Sequence, residues 1–219
     1  MSKDVYRNAG NPPLLALVPE GKLNILDVGC GAGDNARVLQ SRGCTVYGLT
    51  LSDEEARLAR PFCKDVFVKN AEFEDVDLQD KSLDLIICSH VLEHMIQPAA
   101  TLTRLCRYLK DGGHVVIALP NMAQWRLRVR FLRGDWYRES SGPMDRTHLH
   151  FFSFVTGITL LDDAPLKLEK HVAADLAIPL WPLRRLMPGL CARLDRLIGR
   201  HWPNLFCAQT LIMARKIAP

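Results

Sequence analysis

Paired cysteines are missing from the 219-residue sequence: the seven present stand singly, no C-x-x-C occurs, and the count is odd. That argues against a disulfide framework or a zinc module, and for reduced thiols in a cytoplasmic protein. No run reaches the roughly 18 apolar residues that span a bilayer. Met1-Ser2-Lys3-Asp4 opens without the apolar segment of a secretion signal. Charge of one sign is scarce as well: 28 Lys and Arg against 24 Asp and Glu leave +4, too mild a balance to imply nucleic acid. There is no G-x-x-x-x-G-K-[ST] phosphate loop, no H-E-x-x-H metal motif, no repeat and no low-complexity segment. What remains is 48% hydrophobic residues, enough for the core of one domain of this length.

One stretch organises the rest. An apolar run from Leu23 to Val28 leads into Gly29-Cys30-Gly31-Ala32-Gly33 and then Asn35-Ala36-Arg37-Val38-Leu39, which reads as strand, glycine loop and helix. Glycines at such a junction let bare backbone approach a ligand. The G-x-G-x-G spacing departs from the G-x-G-x-x-G of dinucleotide loops, and Asp27 would repel a pyrophosphate yet can hold a cation. Residues 44–49, 66–68, 83–88 and 114–119 read as further strands. Ser52-Asp53-Glu54-Glu55 is a capping box, residues 98–109 a helix, and Asp111-Gly112-Gly113 a turn. Strands alternating with helices imply a doubly wound parallel sheet whose ligands lie beyond the strands' carboxyl ends. The residues there are Asp27 to Gly33, Thr50 and Leu51, Asn70-Ala71-Glu72, Ser89-His90 and Pro120-Asn121.

On these motifs the chain resembles the class I S-adenosylmethionine-dependent methyltransferases. The glycine loop, Asn70-Ala71-Glu72-Phe73, Lys81 to Ile86, Ser89-His90-Val91-Leu92-Glu93-His94 and Leu109-Lys110-Asp111-Gly112-Gly113 look like that family's signatures, covering residues 22–121. The resemblance implies an α/β, Rossmann-like fold: a seven-stranded, mostly parallel sheet with an antiparallel last strand. It implies S-adenosylmethionine as cofactor, S-adenosylhomocysteine as product, and Asp27, Gly29, Cys30, Gly31, Gly33, Thr50, Leu51, Asn70, Ala71, Glu72, Ser89 and His90 as the cofactor-binding set. The sequence departs from the family at Thr50, where an acidic partner for the ribose is usual, and at Asn70, where Asp is common. Gly48 to Ser52 is instead similar to the loop of cyclopropane-fatty-acid synthases, which use the same cofactor.

Beyond Pro120 the alternation stops. Pro120-Asn121, Trp125-x-x-Arg128, Arg130-Phe131-Leu132-Arg133-Gly134 and Asp145-Arg146-Thr147-His148 resemble bacterial methyltransferases encoded among glycan-assembly enzymes. Some of these pieces also resemble the methionine-biosynthesis W protein, a companion of an acyltransferase. One domain over residues 1–219 is expected. It would hold a lead-in helix in 1–21, the cofactor core in 22–121, an acceptor-side lid in 122–165 and, over 166–219, C-terminal strands with an Arg-rich helical insertion. The expected acceptor is a hydroxyl of a sugar, glycolipid or other small molecule. His148, with Asp145 three residues before it, is the first candidate base and His90 the second; the same loop also reads as an ion-paired lid. His94, four after His90 on an expected helix, reads as structural, and no metal site is expected. Arg126, Arg130 and Arg133 fit either a solvated face or recognition of an anionic acceptor. Arg184, Arg185, Arg193, Arg196 and Arg200, interleaved with leucines, fit a helix over the site or a peripheral contact at the inner membrane. A non-catalytic partner of a biosynthetic enzyme is the alternative reading.

Overall fold

The computed structural model describes residues 10–176 and 185–217, and in it seven strands form one sheet. They are β1 (Asn24–Val28), β2 (Thr45–Thr50), β3 (Asp65–Val68), β4 (Leu83–Ser89), β5 (Leu109–Pro120), β6 (Leu166–Leu176) and β7 (Cys207–Lys216). Their order is β3-β2-β1-β4-β5-β7-β6. The first five run parallel, and β7 enters antiparallel between β5 and β6. Strand order reverses between β1 and β4, which opens a crevice at the carboxyl ends of those two strands.

Alternation along the inner strands builds both faces of the core. Ile86 and Cys88 of β4, Val115, Ile117 and Leu119 of β5, and Ile212 of β7 pack on one side. Leu85 and Ile87, Val116 and Ala118, and Leu211 and Met213 pack on the other. This period-two pattern with both faces apolar is what a covered parallel sheet demands.

The helices are α1 (Pro12–Leu15), α2 (Asp34–Ser41), α3 (Asp53–Ala59), α4 (Pro98–Leu105), α5 (Trp125–Leu132), α6 (Pro188–His201) and α7 (Pro203–Phe206). Leu14 and Leu15 of α1 and Ala36 and Leu39 of α2 cover the second face; Leu102 and Leu105 of α4 cover the first.

Several boundaries differ from expectation. The lead-in helix is a single turn, opened by Asn11, whose Oδ1 accepts from Leu14 N at 3.3 Å; residues 1–9 of the expected 1–21 span lie outside the described residues. Asp111-Gly112-Gly113 is a bulge inside β5: Leu83 pairs with Leu109 and Leu85 with His114, so one residue of β4 spans four of β5. Gly112 takes φ 78° there, a conformation that costs glycine nothing. The helix expected over 98–109 gives way after Leu105 to a 3-10 turn, Cys106–Tyr108, because Leu109 is already in β5.

That turn carries Tyr108, which is 1% exposed. Its hydroxyl accepts from Val76 N at 2.9 Å and donates to Val76 O at 3.1 Å, pairing both backbone groups of a segment that has no strand partner. Removing the oxygen leaves the buried Val76 N–H unmatched, while its carbonyl keeps the bond from Leu78 N at 2.8 Å, a cost of about 1–3 kcal/mol. Tyr108→Phe should therefore lower the urea midpoint at unchanged slope, and an unchanged midpoint would show that Val76 finds other partners.

Candidate active site

All three loop glycines adopt positive φ: 71° at Gly29, 52° at Gly31 and 83° at Gly33. Two are required by their neighbours. A Cβ on Gly29 would lie 2.7 Å from Val91 Cγ2, and one on Gly33 2.9 Å from Ala59 Cα. A Cβ on Gly31 would meet nothing within 4 Å. Its backbone faces open space, the cradle a ligand needs. Below it, Asp27 is 1% exposed, bonded to Asn35, and its Oδ2 has no partner among the described residues. Burial pushes its pKa up to about 7, with Asn35 pulling the other way.

At the end of β2, Thr50 is buried and donates to Glu55 Oε2 at 2.5 Å. Ser52 caps α3 by accepting from Glu55 N at 3.3 Å, as the capping box predicts. The return half of the box does not form: Ser52 N donates to Thr50 Oγ1 instead, at 3.3 Å. A carboxylate thus stands beside the end of β2 after all, supplied by Glu55, whose place in the capping box marks only a helix cap. Leu51 beside it is 73% exposed. After β3, Asn70 Oδ1 accepts from Glu72 N and Glu72 Oε1 accepts from Gln97 N, so these two side chains shape the turn and tie it to the start of α4. Ala71 is buried and Phe73 exposed beside them.

The segment after β4 holds the densest chemistry. His90 takes φ 53°, a left-handed conformation worth about 1–3 kcal/mol of strain in a residue with a side chain. Leu92–His94 is a 3-10 turn, so His94 does not lie above His90 on a helix as expected. Glu93 is fully buried, and neither carboxylate oxygen has a hydrogen-bond partner among the described residues. Its Oε1 lies 3.5 Å from His90 Nδ1 and 3.9 Å from His148 Nε2. His148 is 5% exposed, and its Nδ1 meets the Pro143 carbonyl at 3.1 Å. A carbonyl only accepts, so Nδ1 carries the proton and Nε2 faces Glu93.

The pairing of His148 with Asp145 is corrected by this geometry. Asp145 Oδ1 accepts from Thr147 N at 2.7 Å and Thr147 Oγ1 at 2.6 Å, and Glu93 takes the place beside the ring. The reason is backbone trapping: Leu149 N and His150 N both donate to Glu93 O, at 2.8 and 3.1 Å, which turns the His148 ring toward residue 93. Burial holds His148 below its ordinary pKa; Glu93 opposes and His94 adds to the lowering. Burial also acts to lower His90, but the neighbouring Glu93 outweighs it and holds that ring above its ordinary value.

A polar chain closes the mouth. Gln209 Oε1 accepts from Asn11 Nδ2 and lies 3.0 Å from His90 Nε2, while Gln209 Nε2 donates to Asp175 Oδ2 at 2.5 Å; Asn11 Nδ2 also reaches Ser89 Oγ at 3.3 Å. No local signal marks Asn11, Asp175 or Gln209, because they meet only through the fold. Asn121, at the end of β5, is scaffold: its Nδ2 donates to the carbonyls of Cys207 and Asn204. Of the three α5-region arginines, Arg130 is tied to Asp135 and Glu139 at 2.9 and 2.7 Å, Arg126 lies over Trp125, and Arg133 is exposed. Leu183 and Arg184 lie outside the described residues, as does the Arg196 side chain. Arg185, Arg193 and Arg200 are exposed, with Leu186 and Leu197. Among the described residues no helix is long and apolar enough to cross a membrane.

This sheet, with a glycine cradle and polar groups at its carboxyl edge, is the class I methyltransferase fold. The methyltransferase-domain family matches residues 3–171, and the chain belongs to it. It is 32% identical over 154 residues to a ubiquinone biosynthesis O-methyltransferase of Photobacterium profundum, covering 68% of this chain and 65% of that one. The chain spans about half to two thirds of the length of the curated relatives it matches. In structure it is similar to an S-adenosylmethionine-dependent methyltransferase from Archaeoglobus fulgidus (TM-score 0.66, 19% identity, 90% and 87% of the two chains). Another from Mesorhizobium loti gives 0.61 and 20%, over 93% and 96%. The residues fit this family's cofactor: an open cradle at Gly31, an orphaned carboxyl oxygen at Asp27, and a carboxylate beside β2.

Asp27 makes a pH dependence. Its pKa of about 7 in the fold exceeds the ordinary 3.8, so the folded state holds a proton that the unfolded state releases between those values. The stability this contributes is complete below about pH 4 and lost as pH rises through about 7. Denaturant titrations should show the wild type losing stability relative to Asp27→Asn between pH 5 and 7.5, by about 2.5 kcal/mol. Parallel curves for the two proteins would place the proton elsewhere.

Proposed function

We propose that the chain transfers a methyl group from S-adenosylmethionine to a hydroxyl of a small-molecule acceptor, a sugar, glycolipid or comparable metabolite, releasing S-adenosylhomocysteine. The observation that carries this reading is Glu93: a buried carboxylate with no hydrogen-bond partner among the described residues, set among histidines in the turn that follows the strand adjacent to β1. The relatives named O-methyltransferases support oxygen as the acceptor atom.

Bound cofactor would supply an electrophilic methyl on a sulfonium. Asp27 and the Gly29–Gly33 loop, Cys30 included, would hold its amino-acid end, Thr50 with Glu55 the ribose, and Leu51 with Asn70, Ala71 and Glu72 the adenine. Ser89 and His90, at the end of β4, would complete the cofactor-binding set. A hydroxyl must lose its proton as it gains the methyl, and a positioned base contributes about 10²–10⁴-fold to that step. His148 is the suited acceptor, because its pKa is lowered and its Nε2 carries the lone pair. Glu93 would stabilise the imidazolium so formed. His90, whose pKa is raised, orients Glu93 and the mouth network instead. Asp145 fixes the loop through Thr147. Alignment and exclusion of water account for the larger share of rate.

Calorimetry and an acceptor screen beginning with sugars and phenols test the two halves separately. Gly31→Trp should abolish cofactor binding, because its side chain fills the cradle. Glu93→Gln should keep cofactor affinity within about threefold while turnover falls about 100-fold. Cofactor binding by wild type with no turnover on any acceptor would favour the non-catalytic partner reading, and full activity of Glu93→Gln would remove the carboxylate from the chemistry.

A further inference from the structure

We propose that Glu93, His94 and His148 form a divalent-cation site facing the acceptor. One potential ligand atom from each lies within 4.8 Å of the others. Donors around a common ion at about 2.1 Å sit roughly 3–3.5 Å apart, so small side-chain rotations close the set.

Three observations point to a cation. The first is that neither oxygen of a fully buried carboxylate has a hydrogen-bond partner among the described residues, its basic neighbours being His90 Nδ1 at 3.5 Å and His148 Nε2 at 3.9 Å from Oε1 alone; burial penalises such a carboxylate by several kcal/mol unless positive charge compensates. The second is the meeting of two acceptors: with its proton on Nδ1 toward Pro143 O, His148 turns a bare Nε2 toward Glu93 Oε1 at 3.9 Å. Lone pairs so aimed repel unless a cation or a proton lies between them. The third is the bracing of the histidines. Thr147 Oγ1 donates to Asp145 Oδ1 at 2.6 Å, so toward His94 Nδ1, 2.9 Å away, it can only accept. His94 therefore also carries its proton on Nδ1, and its Nε2 is left to ligate. Histidines that bind metals are held in this way, with the other nitrogen donating to a carbonyl or to a carboxylate-backed group.

Two imidazoles and one carboxylate select a transition metal or zinc over magnesium or calcium, and they leave coordination positions open. His94 is only half buried, so those positions face the cleft. An oxygen of the acceptor bound there would lose its proton more readily, and with the ion in place His148, its Nε2 lone pair taken up, would serve as ligand in place of base. This last role rests on the proposed methyl transfer; the ion site does not. It also amends the sequence expectation of no metal: the missing H-E-x-x-H is replaced by a third ligand 54 residues beyond His94.

Co²⁺ titration of the tag-free chain, followed by visible absorption, tests the site without any acceptor. One equivalent should develop a ligand-field band that one equivalent of Zn²⁺ removes. Glu93→Gln and His148→Asn should each abolish the band while circular dichroism and cofactor binding persist. Thr147→Val, which removes no ligand but only the brace on His94 Nδ1, should weaken Co²⁺ by about 10–100-fold. Absence of a band, or a band unchanged in Glu93→Gln, overturns the site. Methylation that continues at full rate under chelator would overturn the metal's role and leave methyl transfer standing. A Co²⁺ band with no turnover on any acceptor would do the reverse.

Discussion

The missing side chain at Gly29 sets the distance between the two halves of the site. Val91 occupies the space a Cβ would need, its Cγ2 2.7 Å from the ideal position. The loop after β1, which offers the cradle, therefore rests directly on the loop after β4, which carries Glu93. Both loops leave neighbouring parallel strands whose register is fixed from Ile25–Leu85 to Val28–Cys88. A cofactor in the cradle is thereby placed beside the carboxylate without any further adjustable element. His90, forced to φ 53° at the same junction, marks where the chain absorbs the strain of that close approach.

The alternating core was readable in the sequence because each inner strand is apolar at consecutive positions, as burial on both faces requires. β4 is legible to within one residue for that reason, and β5 from His114 onward, although it begins five residues earlier at Leu109. Glycine misled at β5: Asp111-Gly112-Gly113 has the chemistry of a turn, yet pairing resumes on both sides of it and the segment is a bulge. The insertion of β7 between β5 and β6 follows from long-range pairing, His114 with Arg215 and Leu166 with Lys216. No local pattern encodes which edge a strand joins.

The site was legible wherever function is carried by backbone. Gly31 is recognisable because only glycine leaves such a cradle open. Side-chain partnerships were less so. Glu55 reads locally as half of a capping box, and the hydroxyl of Thr50, five residues earlier, claims its carboxylate instead. Asp145 is near His148 in sequence, but Thr147 is nearer and takes it. Glu93 and His148 are 55 residues apart and meet only because two amides, Leu149 N and His150 N, converge on one carbonyl. Asn11 and Gln209 join almost opposite ends of the chain. Spacing shows residues that share an element; it is silent on residues that share only a place.

The two sides of the site are held by different forces, and that divides their tasks. The cofactor side rests on core strands, where Leu26, Val28 and Leu49 are essentially inaccessible and movement would expose apolar surface. The acceptor side, from Gly134 to His150, contributes few buried side chains, Met144 and His148 among them. Polar bonds hold it: Arg138 donates to the carbonyls of Asp145 and His148, Arg146 to that of Arg138, and Arg130 pairs with Asp135 and Glu139. Each is exposed or half-exposed, and such bonds are individually weak. A segment with few apolar contacts and exposed polar ones opens at lower free energy than the sheet beneath it. Admission of an acceptor can therefore proceed by movement of this segment alone, while the cradle and Glu93 keep their separation. Substitutions there that spare His148 can change which acceptor fits at little expense to the fold, because Glu93, in the turn that follows β4, stays with the cradle while the segment that carries His148 moves.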